Sequence, residues 1–217
     1  MSGFIIAVDG PAASGKGTIA VLLGEAYGLP VLDSGLLYRA VGVTLLDHGG
    51  DLADAAAASL VAARLDPARL EDPAFRTRAA GEAASRVAAY PGVRSALRDF
   101  QRAFAAQPGG AVIDGRDIGT VIAPEAPAKL YVTASPEARA RRRWLQLNDA
   151  DASVAYDDIL ADIRQRDARD AGRADSPMRP AADAVLLDTT ELSISAAADA
   201  ARRIVEAARA RWEQSQG

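Results

Sequence analysis

The sequence predicts an α/β protein, a parallel sheet flanked by helices on both faces and carrying one mostly helical insertion. Three observations lead there. Apolar runs of strand length recur along the chain, at Phe4–Val8, Val31–Asp33, Ala111–Asp114, Lys129–Thr133 and Ala184–Asp188. Stretches with apolar residues at helical spacing lie between them, the pattern of successive strand–helix–strand units. The first run leads directly into a glycine-rich segment, "GPAASGKGT" over residues 10–18, which opens a helix.

Taken in order, Phe4–Val8 is apolar throughout, as a strand buried on both faces requires. The helix after the glycine-rich segment runs to about Tyr27 and is stopped by Gly28 and Pro30. The second strand is followed by "SGLLYRAVGVTLLDHGG", helical in spacing and ended by two glycines. From Asp51 to Pro108 the texture changes to alanine-rich, arginine-bearing helices with no convincing strand. There "YPGVRSALRDFQRAF" sets Val93, Leu97, Phe100 and Phe104 on one helical stripe, with Pro91 near its start. After the third and fourth strands, helices are expected around Pro136–Leu147 and Tyr156–Ala171. A last helix follows the fifth strand, its apolar face including Ile194, Ala201, Ile204, Val205, Ala208 and Trp212. The core is thus expected over 1–48 and 109–217, with the insertion over 49–108.

Composition narrows the function classes. A chain of 217 residues, 49% apolar and 25% charged, buries a real core. Its net charge of −4 argues against non-specific binding to nucleic acid. With no cysteine, disulfides, thiolate metal sites and cysteine nucleophiles are excluded. The start "MSGFIIAVDG" lacks a basic lead and reads as a strand, not a signal peptide. No apolar run approaches the roughly 20 residues that span a bilayer, so a cytoplasmic protein is expected.

The glycine-rich segment nearly matches the phosphate-binding pattern G-x-x-x-x-G-K-[ST]. In a turn between a buried strand and a helix, backbone N–H groups and the helix dipole favour an anion. Gly10, Pro11, Ala12, Ala13, Ser14, Gly15, Lys16, Gly17 and Thr18 are therefore expected to cradle the phosphates of a nucleotide, with Lys16 bridging the outer ones. A glycine-rich turn serving only close packing would have no use for Lys16. Gly17 stands where the pattern places a hydroxyl that ligates magnesium. Mg2+ is then expected to be held mainly by phosphate oxygens and water, with Asp114 as outer-shell candidate and Asp33 second. Thr18 is better placed for the innermost phosphate.

The form G-x-x-x-x-G-K-G-T resembles the loop of nucleoside monophosphate kinases, and transfer between two nucleotides would also require cations for the acceptor. Arg39 follows the second strand and Arg116 the third, where open α/β sheets bind ligands. In "DIRQRDARDAGR", Arg166, Asp170 and Arg173 stand at i, i+4 and i+7, one helical face; alone, that could be a solvated face stitched by ion pairs. The run Arg139–Arg143 in this acidic chain fits a lid that brings arginines over a triphosphate better than a nucleic-acid surface. His48, the one histidine, reads as a surface residue at a helix end.

With these residues in hand, the chain resembles the bacterial cytidylate kinases. The stretches "IAVDGPAASGKGT", "LDSGLLYRAV", "AASRVAAYPGVR", "IDGRDIGTVIAPEAPAKLYVTAS", "RRRWLQL" and "RQRDARDAGRADSPMRPAADAVLLDTT" carry the resemblance, in order over nearly the whole chain. It implies a P-loop kinase fold with a five-stranded parallel sheet, a nucleoside-monophosphate-binding insertion and a short lid at about 143–157. It implies that ATP and Mg2+ serve to phosphorylate CMP and dCMP, with Lys16, Arg116 and Arg173 catalytic. Ser34, Arg39, Arg116 and Arg173 would surround the acceptor phosphate. Ser85, Arg94 and Asp117 would read the cytosine edge, and Arg166 and Asp170 would hold the ribose. One departure is visible: between "LDPARLEDPA" and "FRTRAAGEAAS" the chain lacks a β-hairpin stretch typical of the insertion. A monomer is expected, with no nucleic-acid or membrane partner. The alternatives are a related P-loop kinase with another acceptor, or a nucleotide switch. The absence of a guanine-reading N-K-x-D counts against a GTPase.

Overall fold

The computed structural model describes residues 3–148 and 154–216. The expected lid at about 143–157 therefore includes residues, 149–153, that lie outside the described ones. Five strands, β1 (Phe4–Asp9), β2 (Val31–Asp33), β3 (Gly110–Gly115), β4 (Ala128–Thr133) and β5 (Val185–Asp188), form one sheet in the order β2-β3-β1-β4-β5. The pairs β1–β3, β1–β4 and β4–β5 are parallel. The continuous apolar runs belong to the centre: all six residues of β1 and of β3 are buried. At the edges the pattern differs, since only Leu32 of β2 and Leu187 of β5 are buried, and Leu186 is 63% exposed.

The chain forms two compact units, Met1–Leu32 with Ala105–Gly217, and Asp33–Phe104. In the first unit, α1 (Lys16–Tyr27) and α8 (Ile194–Gln216) pack on one sheet face. Ile6, Val8, Leu23, Leu130 and Val132 meet Ala201, Val205 and Ala208 there. Trp212 adds a tilted ring contact with Phe4 at 5.3 Å. Ile194 does not join this face; at 70% exposed it lies in the first turn of α8, ahead of the residues that reach the core. The helices α6 (Pro136–Asn148) and α7 (Tyr156–Ala171) share a smaller core of Ala140, Ile159 and Ile163.

The second unit contains α2 (Ser34–Asp47), α3 (Ala55–Ala63), α4 (Arg78–Val87) and most of α5 (Pro91–Ala105). Side-chain oxygens of Asp33, Asp54 and Thr77 cap the first three of these helices, satisfying first-turn amides. Leu37, Val41 and Leu45 of α2 pack against Ala83, Val87, Val93 and Leu97. The second compact unit thus begins at Asp33 and takes in α2. Between α3 and α4, two 3-10 turns (Pro67–Glu71 and Pro73–Arg76) follow one another, capped by Asp66 and Asp72.

Candidate active site

The glycine-rich segment leaves the C-terminal end of the central strand β1 and enters α1. Gly10 has φ +148°, and a Cβ there would lie 2.0 Å from the Val132 carbonyl oxygen, so only glycine lets the loop pass β4. Ala13 takes φ 59° and Gly15 φ 89°, folding the backbone back on itself. Gly15 caps α1 without a side-chain hydrogen bond, which leaves the first-turn amides to a ligand. Ser14 is fully buried, and its Oγ has no hydrogen-bond partner among the described residues.

Lys16 Nζ lies 3.3 Å from Asp114 Oδ1, and both side chains are largely buried. Gly17 is explained by the same carboxylate: a Cβ at position 17 would stand 3.1 Å from Asp114 Oδ2. The space a serine or threonine side chain would take in the usual pattern is therefore bordered by an aspartate oxygen. Restoring the usual hydroxyl with Gly17→Ser is expected to lower turnover several-fold, because it crowds the Lys16–Asp114 pair. Steady-state kinetics at saturating ATP check this; a gain in rate would contradict it. Asp33, the second metal candidate, has its Oδ1 accepting from Gly35 N–H at 2.9 Å and serves as a helix cap.

Beside the loop, Asp9 closes β1. Its two carboxylate oxygens accept from the consecutive backbone N–H groups of Ile118 and Gly119, each at 2.8 Å. They thereby hold the start of a π-helical turn, Ile118–Ile122, directly after the "DGRD" stretch. Burial pushes the Asp9 pKa up to about 7; the two amides oppose the rise, and the charges of Asp117 and Asp114 add to it. The folded state thus binds a proton that the unfolded chain releases, so this contribution to stability is complete below pH 3.8 and is lost as pH rises through about 7. Asp9→Asn is expected to lose less Tm than the parent between pH 5 and 8, read by thermal melts at both pH values.

Asp170, near the end of α7, is 1% exposed and gathers three arginines. Arg116 Nε is 3.1 Å away, Arg173 Nη2 2.5 Å and Arg166 Nε 3.9 Å. Burial alone would raise the Asp170 pKa, but Arg116, Arg173 and Arg166 outweigh it and hold the carboxyl below its ordinary value. Three guanidinium groups converge on one buried carboxylate at the end of β3, a grouping of donors suited to an anion. Arg173 is not on the α7 face predicted for it: the helix ends at Ala171, Gly172 follows as its cap, and the chain's turn brings the guanidinium back. Asp117 is 5% exposed, and its carbonyl accepts from the Val121 and Ile122 amides.

Four of the expected residues lie in the second unit. Ser34 begins α2 and is buried. Arg39 donates to the Phe75 and Thr77 carbonyls at 3.1 and 3.2 Å. Ser85 is 2% exposed in α4, and Arg94, 4% exposed in α5, places its guanidinium 5.7 Å from the Tyr38 ring centroid. His48 caps α2, its Nδ1 2.7 Å from the Thr44 carbonyl oxygen.

Sequence reasoning did not single out Asp9, Asp167 or Thr189, and it treated Arg139 as part of a lid. Arg139 is instead 3% exposed and bound to internal partners. An arginine at helical spacing behind a strand carries no mark of which side it faces.

A phosphate-binding loop on the central strand of a parallel sheet, with a cluster of arginines at the neighbouring strand end, defines a P-loop nucleotide kinase. The family described as cytidylate kinase matches residues 6–208. The chain is 67% identical to a cytidylate kinase of Caulobacter sp. (strain K31), over 99% of both chains. It is 61% identical to one of Xanthobacter autotrophicus, over 95% of this chain and 99% of that protein. The fold is also that of a solved uncharacterized protein from Eubacterium ventriosum, with TM-score 0.54, 13% identity, and coverage of 94% of this chain and 98% of that one. The chain belongs to the cytidylate kinase family.

Proposed function

We propose that this protein transfers the γ-phosphoryl group of ATP directly to CMP and dCMP, giving ADP and CDP or dCDP. The observation that supports this beyond the family is two separate groupings of cationic side chains in the first unit. One is the loop with Lys16; the other is the arginine cluster on Asp170. Two phosphate groups that repel each other need separate cations before they can meet in line. An acceptor phosphate oxygen attacks the γ-phosphorus, the bond to the β-bridging oxygen breaks, and no protein nucleophile intervenes.

Lys16 neutralises the outer phosphates, while the loop amides and the buried Ser14 hydroxyl donate to phosphate oxygens. Arg116 and Arg173 bind the acceptor phosphate, with Ser34 and Arg39 sharing that role. Arg166 and Asp170 orient the ribose. Cytosine offers an exocyclic amine and an unprotonated ring nitrogen. Asp117 suits the first as acceptor, Arg94 the second as donor, and Ser85 either.

Among the described residues no group of three or more His, Cys, Asp or Glu side chains could hold a metal by itself. Asp114 with its oxygen exposed to the Gly17 gap fits a cation bound through one carboxylate, waters and substrate phosphates, as Mg2+ is. When bound with ATP, Mg2+ would neutralise charge on the β- and γ-phosphates. No helix among the described residues is long and apolar enough to cross a membrane. A monomer suffices for the reaction.

The test is product analysis with ATP chirally labelled at the γ-phosphorus. Direct transfer predicts one CDP per ADP with inversion at phosphorus. Retention of configuration, or ADP release without CDP, would contradict it.

A further inference from the structure

Two arginines of the α6 run, Arg139 and Arg142, reach inward to backbone carbonyls, while Arg141 between them is exposed. Arg139 Nε donates to the Ala134 carbonyl at 2.9 Å, and its Nη1 donates to the carbonyl of Ala12, within the ATP loop, at 3.2 Å. The same guanidinium makes a two-point pair with Asp167 of α7, at 3.1 and 2.5 Å. One turn on, Arg142 donates to the hydroxyl and carbonyl oxygens of Thr189. The Thr189 hydroxyl in turn donates to the carbonyl of Ser14 at 2.9 Å. Arg139 is 3% exposed and Thr189 2%.

These contacts matter because a peptide unit is planar and trans. Fixing a carbonyl fixes the N–H of the next residue, pointing the opposite way. Holding the Ala12 carbonyl from behind sets the Ala13 N–H; holding that of Ser14 sets the Gly15 N–H. Ala13, at φ 59°, is the non-glycine residue of the loop at positive φ, a conformation that persists only when its surroundings over-determine it, while Gly15, at φ 89°, takes one that glycine alone adopts freely. Asp167 fixes Arg139 through a bidentate, charge-assisted pair, the geometry in which a guanidinium has least freedom.

We propose that Arg139, oriented by Asp167, and Thr189, oriented by Arg142, are positioning residues that aim the amides of the ATP loop at the phosphates. The proposal rests on the reading of residues 10–18 as the ATP loop. It assigns to Asp167 a donor-side role, although Asp167 sits on the helix whose Arg166 and Asp170 are assigned to the acceptor.

Calorimetric titration of the full chain with ATP and, separately, with CMP tests this. The variants are Asp167→Asn, Arg139→Lys, their double, and Thr189→Val, all measured well below their melting temperatures. Asp167→Asn and Thr189→Val are each expected to weaken ATP by about tenfold, the scale of one charged or buried hydrogen bond, with CMP affinity changed by less than about twofold. The double variant should bind ATP no more weakly than Arg139→Lys alone, because the two residues act through one carbonyl. A lowered Tm with unchanged ATP affinity would make the contacts struts of the fold only and overturn the proposal. Loss of CMP affinity alone, or equal loss of both, would overturn it too. A parent protein that binds ATP but not CMP would sink the acceptor assignment and leave the ATP comparison intact.

Discussion

Lys16→Ala is expected to lower kcat/KM by about 10²-fold or more while leaving the fold in place. The size follows from losing a preorganised cation aimed at charge that develops during transfer, in a site shielded from water. The fold should survive because Lys16 sits in the first turn of α1 and contributes nothing to the apolar core. Its loss leaves Asp114, 3% exposed, beside the loop without its lysine. Breaking that largely buried pair is expected to lower Tm, so the melt is read separately from turnover. Kinetics with saturating CMP, alongside a thermal melt, give both numbers. A folded variant that keeps substantial turnover would remove Lys16 from the reaction.

Asp170→Ala should be the most damaging substitution for stability and for the acceptor together. Removing one partner of a buried ion pair costs about 3–5 kcal/mol, since the remaining charge stays buried and uncompensated. Here three guanidinium groups surround the one carboxylate. The variant is expected to melt well below the parent and to bind CMP far more weakly, with ATP affinity little changed. Asp170→Asn keeps the shape and loses the charge, and should show the same ligand asymmetry with a smaller drop in Tm. Equal loss for ATP and CMP would reassign Asp170 to a structural role. The sign of the pH effect follows from its lowered pKa. Its stabilisation is present above the ordinary value of 3.8 and is lost as pH falls through the lower native value.

Much of this architecture is visible in the sequence because its signals are local. Continuous apolar runs mark β1 and β3, which lie at the centre of the sheet and are buried on both faces. The loop and Lys16 are fixed by spacing alone. What the sequence hides is direction. Helical periodicity places Ile194 on an apolar face, but only the structure shows that the first turn of α8 extends beyond its partners. Spacing sets Arg166, Asp170 and Arg173 on one face, whereas Gly172 ends the helix and a turn brings Arg173 to Asp170. Arg139 and Arg142 read from the sequence as lid arginines, yet they reach backbone carbonyls, and backbone acceptors leave no trace in a sequence. The Gly17 question is answerable only in space, since Asp114 lies on β3, far along the chain.

Acceptor choice tests the central claim most directly. With ATP fixed, initial rates of ADP formation are measured over a concentration series of CMP, dCMP, UMP and AMP. A site that meets the cytosine edge with matched donors and acceptors leaves buried polar groups unpaired when offered uracil, a discrimination of about tenfold or more in kcat/KM. The expected result is efficient transfer to CMP and dCMP, with UMP at least that far behind and AMP inactive. Transfer to UMP or AMP as efficient as to CMP, or ATP turnover indifferent to any monophosphate, would contradict the account.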